Sequence, residues 1–218
     1  MKRLEFIFWD NDGIFVDTEN LYFQATQEVF KNNGHYLTKE QYITLNLVEG
    51  KSPFDMLARQ HQFSESQINN FRKKRDQIYS EYLKNYCPII EGVEEVLLFL
   101  KDKVKMAVVT SSKQEHFDLI HGQTGYLKYF DFTLTRNDYD RSKPHPDPYL
   151  KALEISNTKS DQCIVIEDSQ RGLESAKLAG LKCFIIPTEL TFQSDFSTAD
   201  GVFQSALGLK EYLMNNVL

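Results

Sequence analysis

Residues 4–9 form a short apolar run that stops abruptly at Asp10-Asn11-Asp12-Gly13. A run without polar alternation is buried on both faces, which is the signature of a strand inside a parallel sheet, and the acidic group that follows reads as a turn. Four more runs of this kind occupy residues 105–109, 130–134, 163–166 and 183–186. Helical patterns lie between them at 93–100, 114–123, 148–155 and 171–179, the last with Gly180 as a C-terminal stop. Strand and helix alternating in this order predict an α/β fold: a Rossmann-like parallel sheet covered by helices on both faces.

Residues 17–86 break that rhythm. They contain no convincing strand, and their longest helical pattern, 66–84, puts Ile68, Phe71, Ile78, Tyr79 and Tyr82 on one face. Ser52-Pro53 reads as an N-cap followed by proline at the first helical position. A helical block inside an α/β pattern predicts a core of residues 1–16 and 87–218 carrying a small all-helical cap domain at 17–86. The core is large enough to be well buried in a chain of 218 residues.

Composition narrows the class. A formal net charge of −6 argues against nucleic-acid or anionic-membrane surfaces, without excluding an anionic ligand in a local pocket. Cys87, Cys163 and Cys183 form no metal-ligand or redox pattern and indicate a reducing compartment, with two of them in apolar runs as inert buried thiols. The first five residues lead straight into an apolar strand, and no stretch approaches the ~20 apolar residues of a membrane span. A cytoplasmic monomer is expected.

Four strand ends carry reactive groups. Asp10 and Asp12 stand two residues apart where the first strand ends, the edge at which open parallel sheets bind ligands. Such close carboxylates repel one another unless a cation intervenes. Taken alone, an acidic turn is commonplace. Thr110-Ser111-Ser112 follows a second strand and precedes a helix, where hydroxyls and backbone N–H groups suit phosphoryl oxygens, although an N-cap would look the same. Ser142-Lys143-Pro144 adds a positive charge beside restricted backbone. Glu167-Asp168 ends another strand, and alternation sends the two acids to opposite sides.

In this order the four pieces resemble the four motifs of the haloacid dehalogenase superfamily. The runs Trp9-Asp10-Asn11-Asp12-Gly13-Ile14-Phe15-Val16-Asp17-Thr18-Glu19 and Ile166-Glu167-Asp168-Ser169-Gln170-Arg171-Gly172 carry most of the likeness. It is closest to the helical-cap branch that includes β-phosphoglucomutase and phosphoglycolate phosphatase. The resemblance implies a nucleophilic Asp10 that becomes an aspartyl phosphate, and an Asp12 that serves as acid and then base. It implies Mg²⁺ held by the Asp10 carboxylate, the Asp12 carbonyl and Asp168, with Glu167 as an outer group or an occasional ligand. Thr110, Ser111 and Lys143 would balance charge on the phosphoryl group.

The same resemblance frames what is transformed. A small phosphorylated metabolite is expected, either a sugar phosphate or a molecule of the phosphoglycolate type. The mutase of this branch has a histidine at the place of Tyr22 and an arginine near Pro53, so hydrolysis is expected over phosphate migration. A dehalogenase would lack the second acid, and a non-catalytic ligand binder would not need all four motifs. In the cap, Lys51 opens a turn. Arg75 interrupts the apolar stripe as a snorkelling side chain or, matching a substrate-contacting lysine of the mutase, reaches the substrate.

Overall fold

The computed structural model describes residues 3–216. Met1 and Lys2, read above as leading into the first strand, lie outside them, as do residues 217–218. The chain divides into two compact units: Met1–Asp17 with Pro88–Leu218, and Thr18–Cys87.

The smaller unit is helical: α1 (Glu19–Asn32), α2 (Lys39–Tyr42) continued by a π-helical stretch (Ile43–Val48), α3 (Pro53–His61) and α4 (Glu65–Asn85). Local signals set these boundaries. Ser52 Oγ accepts from the Phe54 amide at 3.3 Å with Pro53 in the first turn. Ser64 and Gln67 form a reciprocal capping box at the start of α4. The buried face of α4 is Ile68, Phe71, Arg75, Asp76, Tyr79 and Leu83. Ile78 and Tyr82 are only half-buried, and Tyr82 donates to Glu28 Oε2 at 2.7 Å.

Arg75 corrects the expectation of a snorkelling side chain. At 3.6 residues per turn it falls in the middle of the stripe between Phe71 and Tyr79, so its head cannot reach water along the helix surface. Instead its Nε donates to Asp76 Oδ1 at 2.7 Å, and its guanidinium lies 4.3 Å from the Tyr22 ring centroid. Neutralisation by the adjacent acid and a cation–π contact replace hydration.

The larger unit holds six parallel strands: β1 (Phe6–Trp9), β2 (Lys105–Val109), β3 (Phe132–Leu134), β4 (Cys163–Glu167), β5 (Lys182–Ile185) and β6 (Gly201–Val202). Their spatial order is β3-β2-β1-β4-β5-β6, which makes β1 central, between β2 and β4. Helices α5 (Val93–Leu100), α6 (Gln114–Thr124), α7 (Asp147–Ser156), α8 (Gln170–Leu178) and α9 (Ala206–Asn216) complete a Rossmann-like layering. One face of the sheet, including Phe6, Phe8 and Val165, packs on Tyr149 of α7 and Leu173 of α8. On the other face Trp9 packs on Phe15, which meets His121 of α6 edge-on. Burying aromatic side chains of this size stabilises by about 1.5–3 kcal/mol each, which anchors β1 and with it the turn it feeds.

Two differences from the sequence reading are local. Phe130 follows a 3₁₀ turn (Tyr126–Tyr129) and precedes β3 rather than opening it. The edge strand β6 and helix α9 were not expected. Cys163 and Cys183 are buried thiols outside any disulfide, and burial raises both above the ordinary range; Cys87, also outside any disulfide, is half-buried. Among the described residues no helix is long and apolar enough to cross a membrane.

Candidate active site

Strand register decides which side chains meet. Trp9 pairs with Val108 on one side and Ile166 on the other, so the residues just beyond these positions emerge together at the carboxyl edge of the sheet. The Asp10 amide donates to the Ile166 carbonyl at 2.9 Å, and the Thr110 amide to Leu134 at 2.9 Å. Asp10, Thr110, Glu167 and Asp168 are all buried there. Ligand oxygens of Asp10, Glu167 and Asp168 lie within 4.8 Å of one another.

Lys143 is the hub. Its Nζ donates to Asp10 Oδ1 at 2.8 Å, Glu167 Oε1 at 2.6 Å and the Val109 carbonyl at 2.8 Å, using all three of its protons. Burial alone would lower this ammonium, but Asp10 and Glu167 hold it above its ordinary value. Asp10 shows the opposite imbalance. Burial first, then the charge of Glu167, push its carboxyl up to about 7 despite Lys143. Three carboxylates against one ammonium leave an excess of two negative charges in a desolvated pocket, which a divalent cation would cancel.

Glu167 is fully buried and already engaged. Oε1 accepts from Lys143 and from the Tyr149 hydroxyl at 2.8 Å; Oε2 accepts from Ser169 Oγ at 3.1 Å and the Asp168 amide at 3.2 Å. Burial and this carboxylate keep the Tyr149 phenol well above its ordinary value, so it stays a donor. Gly172 permits the close packing, because a Cβ there would lie 1.9 Å from the Glu167 carboxyl carbon.

Asp12 points toward the hydroxyl run. Its Oδ2 accepts from Ser112 Oγ at 2.5 Å, Asn11 Nδ2 at 3.2 Å and, at a long 3.4 Å, Thr110 Oγ1. Ser111 Oγ is buried, and its neighbouring polar group is the Tyr139 hydroxyl, at a geometry too poor for a full hydrogen bond, so a ligand oxygen there would complete it. Of the residues singled out in the sequence, the larger unit thus gathers Asp10, Asp12, Thr110, Ser111, Lys143, Glu167 and Asp168. Lys51 and Arg75 belong to the smaller unit, where Lys51 is exposed and paired with Glu49 at 2.9 Å. Sequence reasoning missed Tyr149, Asn11 and His121. Ser112 was within sight as the third member of the hydroxyl run, whereas a tyrosine on an apolar helix face carries no such signal.

A parallel sheet that gathers these acids and one lysine at the carboxyl ends of its central strands defines a Rossmann-like protein with an acidic centre. The chain belongs to the haloacid dehalogenase-like hydrolase family, whose profile matches residues 7–186. It is 32% identical over 184 residues to a phosphorylated carbohydrates phosphatase of Thermotoga maritima, covering 82% of this chain and 83% of that one. Its fold is shared with CbbY of Rhodobacter sphaeroides, solved in complex with phosphate, at a TM-score of 0.81 and 24% identity over 94% and 96% of the two chains. It is shared also with β-phosphoglucomutase of Clostridium difficile, at a TM-score of 0.79 and 22% identity over 97% and 96%.

Proposed function

We propose that this protein is a Mg²⁺-dependent phosphatase of small phosphorylated metabolites of the sugar-phosphate type, working through an aspartyl phosphate on Asp10. The observation that carries the reading is the buried Asp10 carboxylate, oriented by Lys143 beside Asp168 and two residues from Asp12. Likeness to a phosphatase of phosphorylated carbohydrates supports the substrate class.

The donor set fits a hard divalent cation: oxygen ligands only, with two negative charges in excess. Asp10, Asp168 and the Asp12 carbonyl would hold Mg²⁺, and Glu167, with both oxygens hydrogen-bonded, orients Lys143 instead. When bound, the ion neutralises charge on the phosphoryl oxygens and on the nucleophile. Asp10 attacks phosphorus while the bond to the leaving oxygen breaks, and Asp12 delivers a proton to that oxygen. Water then attacks the aspartyl phosphate, gives its proton to Asp12 and releases Asp10. Three donors converge on Asp12 Oδ2 and hold the carboxylate in place. Ser111 Oγ meets a phosphoryl oxygen, and the Lys143 ammonium, its three protons already given to Asp10, Glu167 and the Val109 carbonyl, offsets the developing charge from beside the nucleophile.

Hydrolysis is favoured over phosphate migration by Tyr22 and Pro53, which stand where the mutase of this branch has a histidine and an arginine; the Tyr22 ring packs instead against Arg75 and edge-on to Tyr79 at 5.0 Å. Phosphate release from a panel of sugar phosphates, phosphoglycolate, nucleotides and pyrophosphate tests the reading. Turnover should require Mg²⁺, vanish with a chelator and return on adding the ion; full activity in metal-free buffer would sink it. By phosphorus NMR a hexose 1-phosphate should yield free phosphate, and accumulation of the 6-phosphate without release would make the protein a mutase.

Gly13 offers a second check on the ligand set. It sits at φ +81°, and a Cβ there would lie 2.2 Å from Asp168 Oδ2. Gly13→Ala should displace that carboxylate and raise the Mg²⁺ concentration for half-saturation by roughly 10–100-fold, the usual cost of disturbing a ligand's support. An unchanged Mg²⁺ titration would remove Asp168 from the ligand set.

A further inference from the structure

Between the two aspartates of the acidic turn stands Asn11, fully buried, and its amide is bonded at both ends. Nδ2 donates to Asp12 Oδ2 at 3.2 Å, while Oδ1 lies 2.9 Å from His121 Nε2 on α6. The other imidazole nitrogen, Nδ1, is 3.0 Å from Thr124 Oγ1, which also accepts from the Tyr126 amide at 3.2 Å. The imidazole itself is buried between Phe117, with centroids 4.3 Å apart, and Phe15.

The hydrogen-bond roles along this chain follow from one fixed point. Asp12 Oδ2 already accepts from the Ser112 and Thr110 hydroxyls, so it is an acceptor and the NH₂ end of Asn11 must face it. The carbonyl end of Asn11 then faces His121 and needs a donor, which places the imidazole proton on Nε2. Nδ1 is left as an acceptor for the Thr124 hydroxyl. Each polar atom has one compatible role, and reversing the tautomer would turn the Asn11 carbonyl oxygen against the Asp12 carboxylate. Burial keeps the imidazole neutral and so preserves the scheme, with its pKa lowered to about 4.

We propose that His121 is a positioning residue for Asp12, acting through Asn11: the Thr124–His121–Asn11 chain fixes the carboxylate by its Oδ2 and so holds the acid/base in the orientation proton exchange needs. The proposal rests on the acid/base reading of Asp12 given above. It assigns a function to two buried residues that touch neither phosphate nor metal ligand through a side chain of their own, apart from the Asn11 bond to Asp12.

Leaving-group dependence separates this role from a structural one. His121→Leu should lower kcat on an alkyl phosphate by roughly 2–10-fold, the worth of one hydrogen bond between neutral groups, with KM unchanged. The loss should shrink on p-nitrophenyl phosphate, whose leaving group hardly needs a proton. Asn11→Leu should show the same pattern, and the double variant should be no worse than either single one, because both break one chain. His121→Gln, whose amide nitrogen can replace Nε2–H, should recover most of the loss. If His121→Leu fails to fold, His121→Gln and Thr124→Val remain, and ¹⁵N NMR of the unaltered protein reads the tautomer directly. An Nδ1–H tautomer, equal losses on both substrates, or additive single effects would overturn the proposal. If Asp12→Asn itself proves fully active, the failure belongs to the acid/base reading instead.

Discussion

Asp10→Asn should leave no measurable turnover and no covalent phosphoenzyme, yet a more stable metal-free protein. The two outcomes share a cause. A nucleophile must be ionised, and ionising Asp10 in this pocket is costly, as its rise from 3.8 to about 7 records. The sign follows from linkage. Below about pH 4 the carboxyl is protonated in both folded and unfolded chains and carries no penalty. As pH rises toward 7 the unfolded chain ionises freely while the folded one resists, so stability is lost across that window, by at most about 4 kcal/mol. Asn keeps an acceptor for Lys143 and removes the charge. In metal-free buffer at pH 8 the variant should therefore melt above wild type, and the gap should close toward pH 4. Mg²⁺ should raise the wild-type melting temperature and affect the variant less. A variant that still turns over would place the nucleophile elsewhere; one that melts below wild type at pH 8 would show that Asp10 is not electrostatically strained.

Most of the sheet unit could be read from the chain because two signals agreed there. Continuous apolar runs such as residues 163–166 and 106–109 are buried on both faces, and each ends in a polar group that the sheet cannot bury unpaired. The edge elements lacked that agreement. β6 has two residues, one of them glycine, and α9 buries only Ala206, Leu209 and Leu213. The acids and hydroxyls of the site were visible for the same reason: they sit where strands stop. What stayed hidden depends on distance in three dimensions. Arg75 could be placed on a stripe, but not beside Tyr22, 53 positions away in the sequence. Asn11 looked like a spacer between two aspartates until His121, at 2.9 Å, gave its amide a direction. Tyr149 reads as one more apolar-face aromatic, and only its bond to Glu167 reveals that it helps hold an acid in place.

Asp12→Asn should separate the two aspartates by mechanism. The substitution is close to isosteric, and the Asn carbonyl can still accept from Ser112 and Thr110, so the fold of the turn and the backbone carbonyl offered to the metal are retained. Only proton exchange is lost. On alkyl phosphates kcat should fall by roughly 10²–10⁴-fold, the usual contribution of a general acid or base. On p-nitrophenyl phosphate the first step should survive better, because the departing phenolate needs no proton. The second step then becomes the slow one, since water still requires a base to attack the aspartyl phosphate. The variant should accordingly accumulate phosphoenzyme on this substrate, seen by intact-protein mass spectrometry after rapid quench, while wild type shows little. Peptide mapping should place the phosphate on Asp10, with beryllofluoride competing for the same position. Phosphate found on Ser111 or Ser112, or an equal rate loss for both leaving groups, would refute the division of roles.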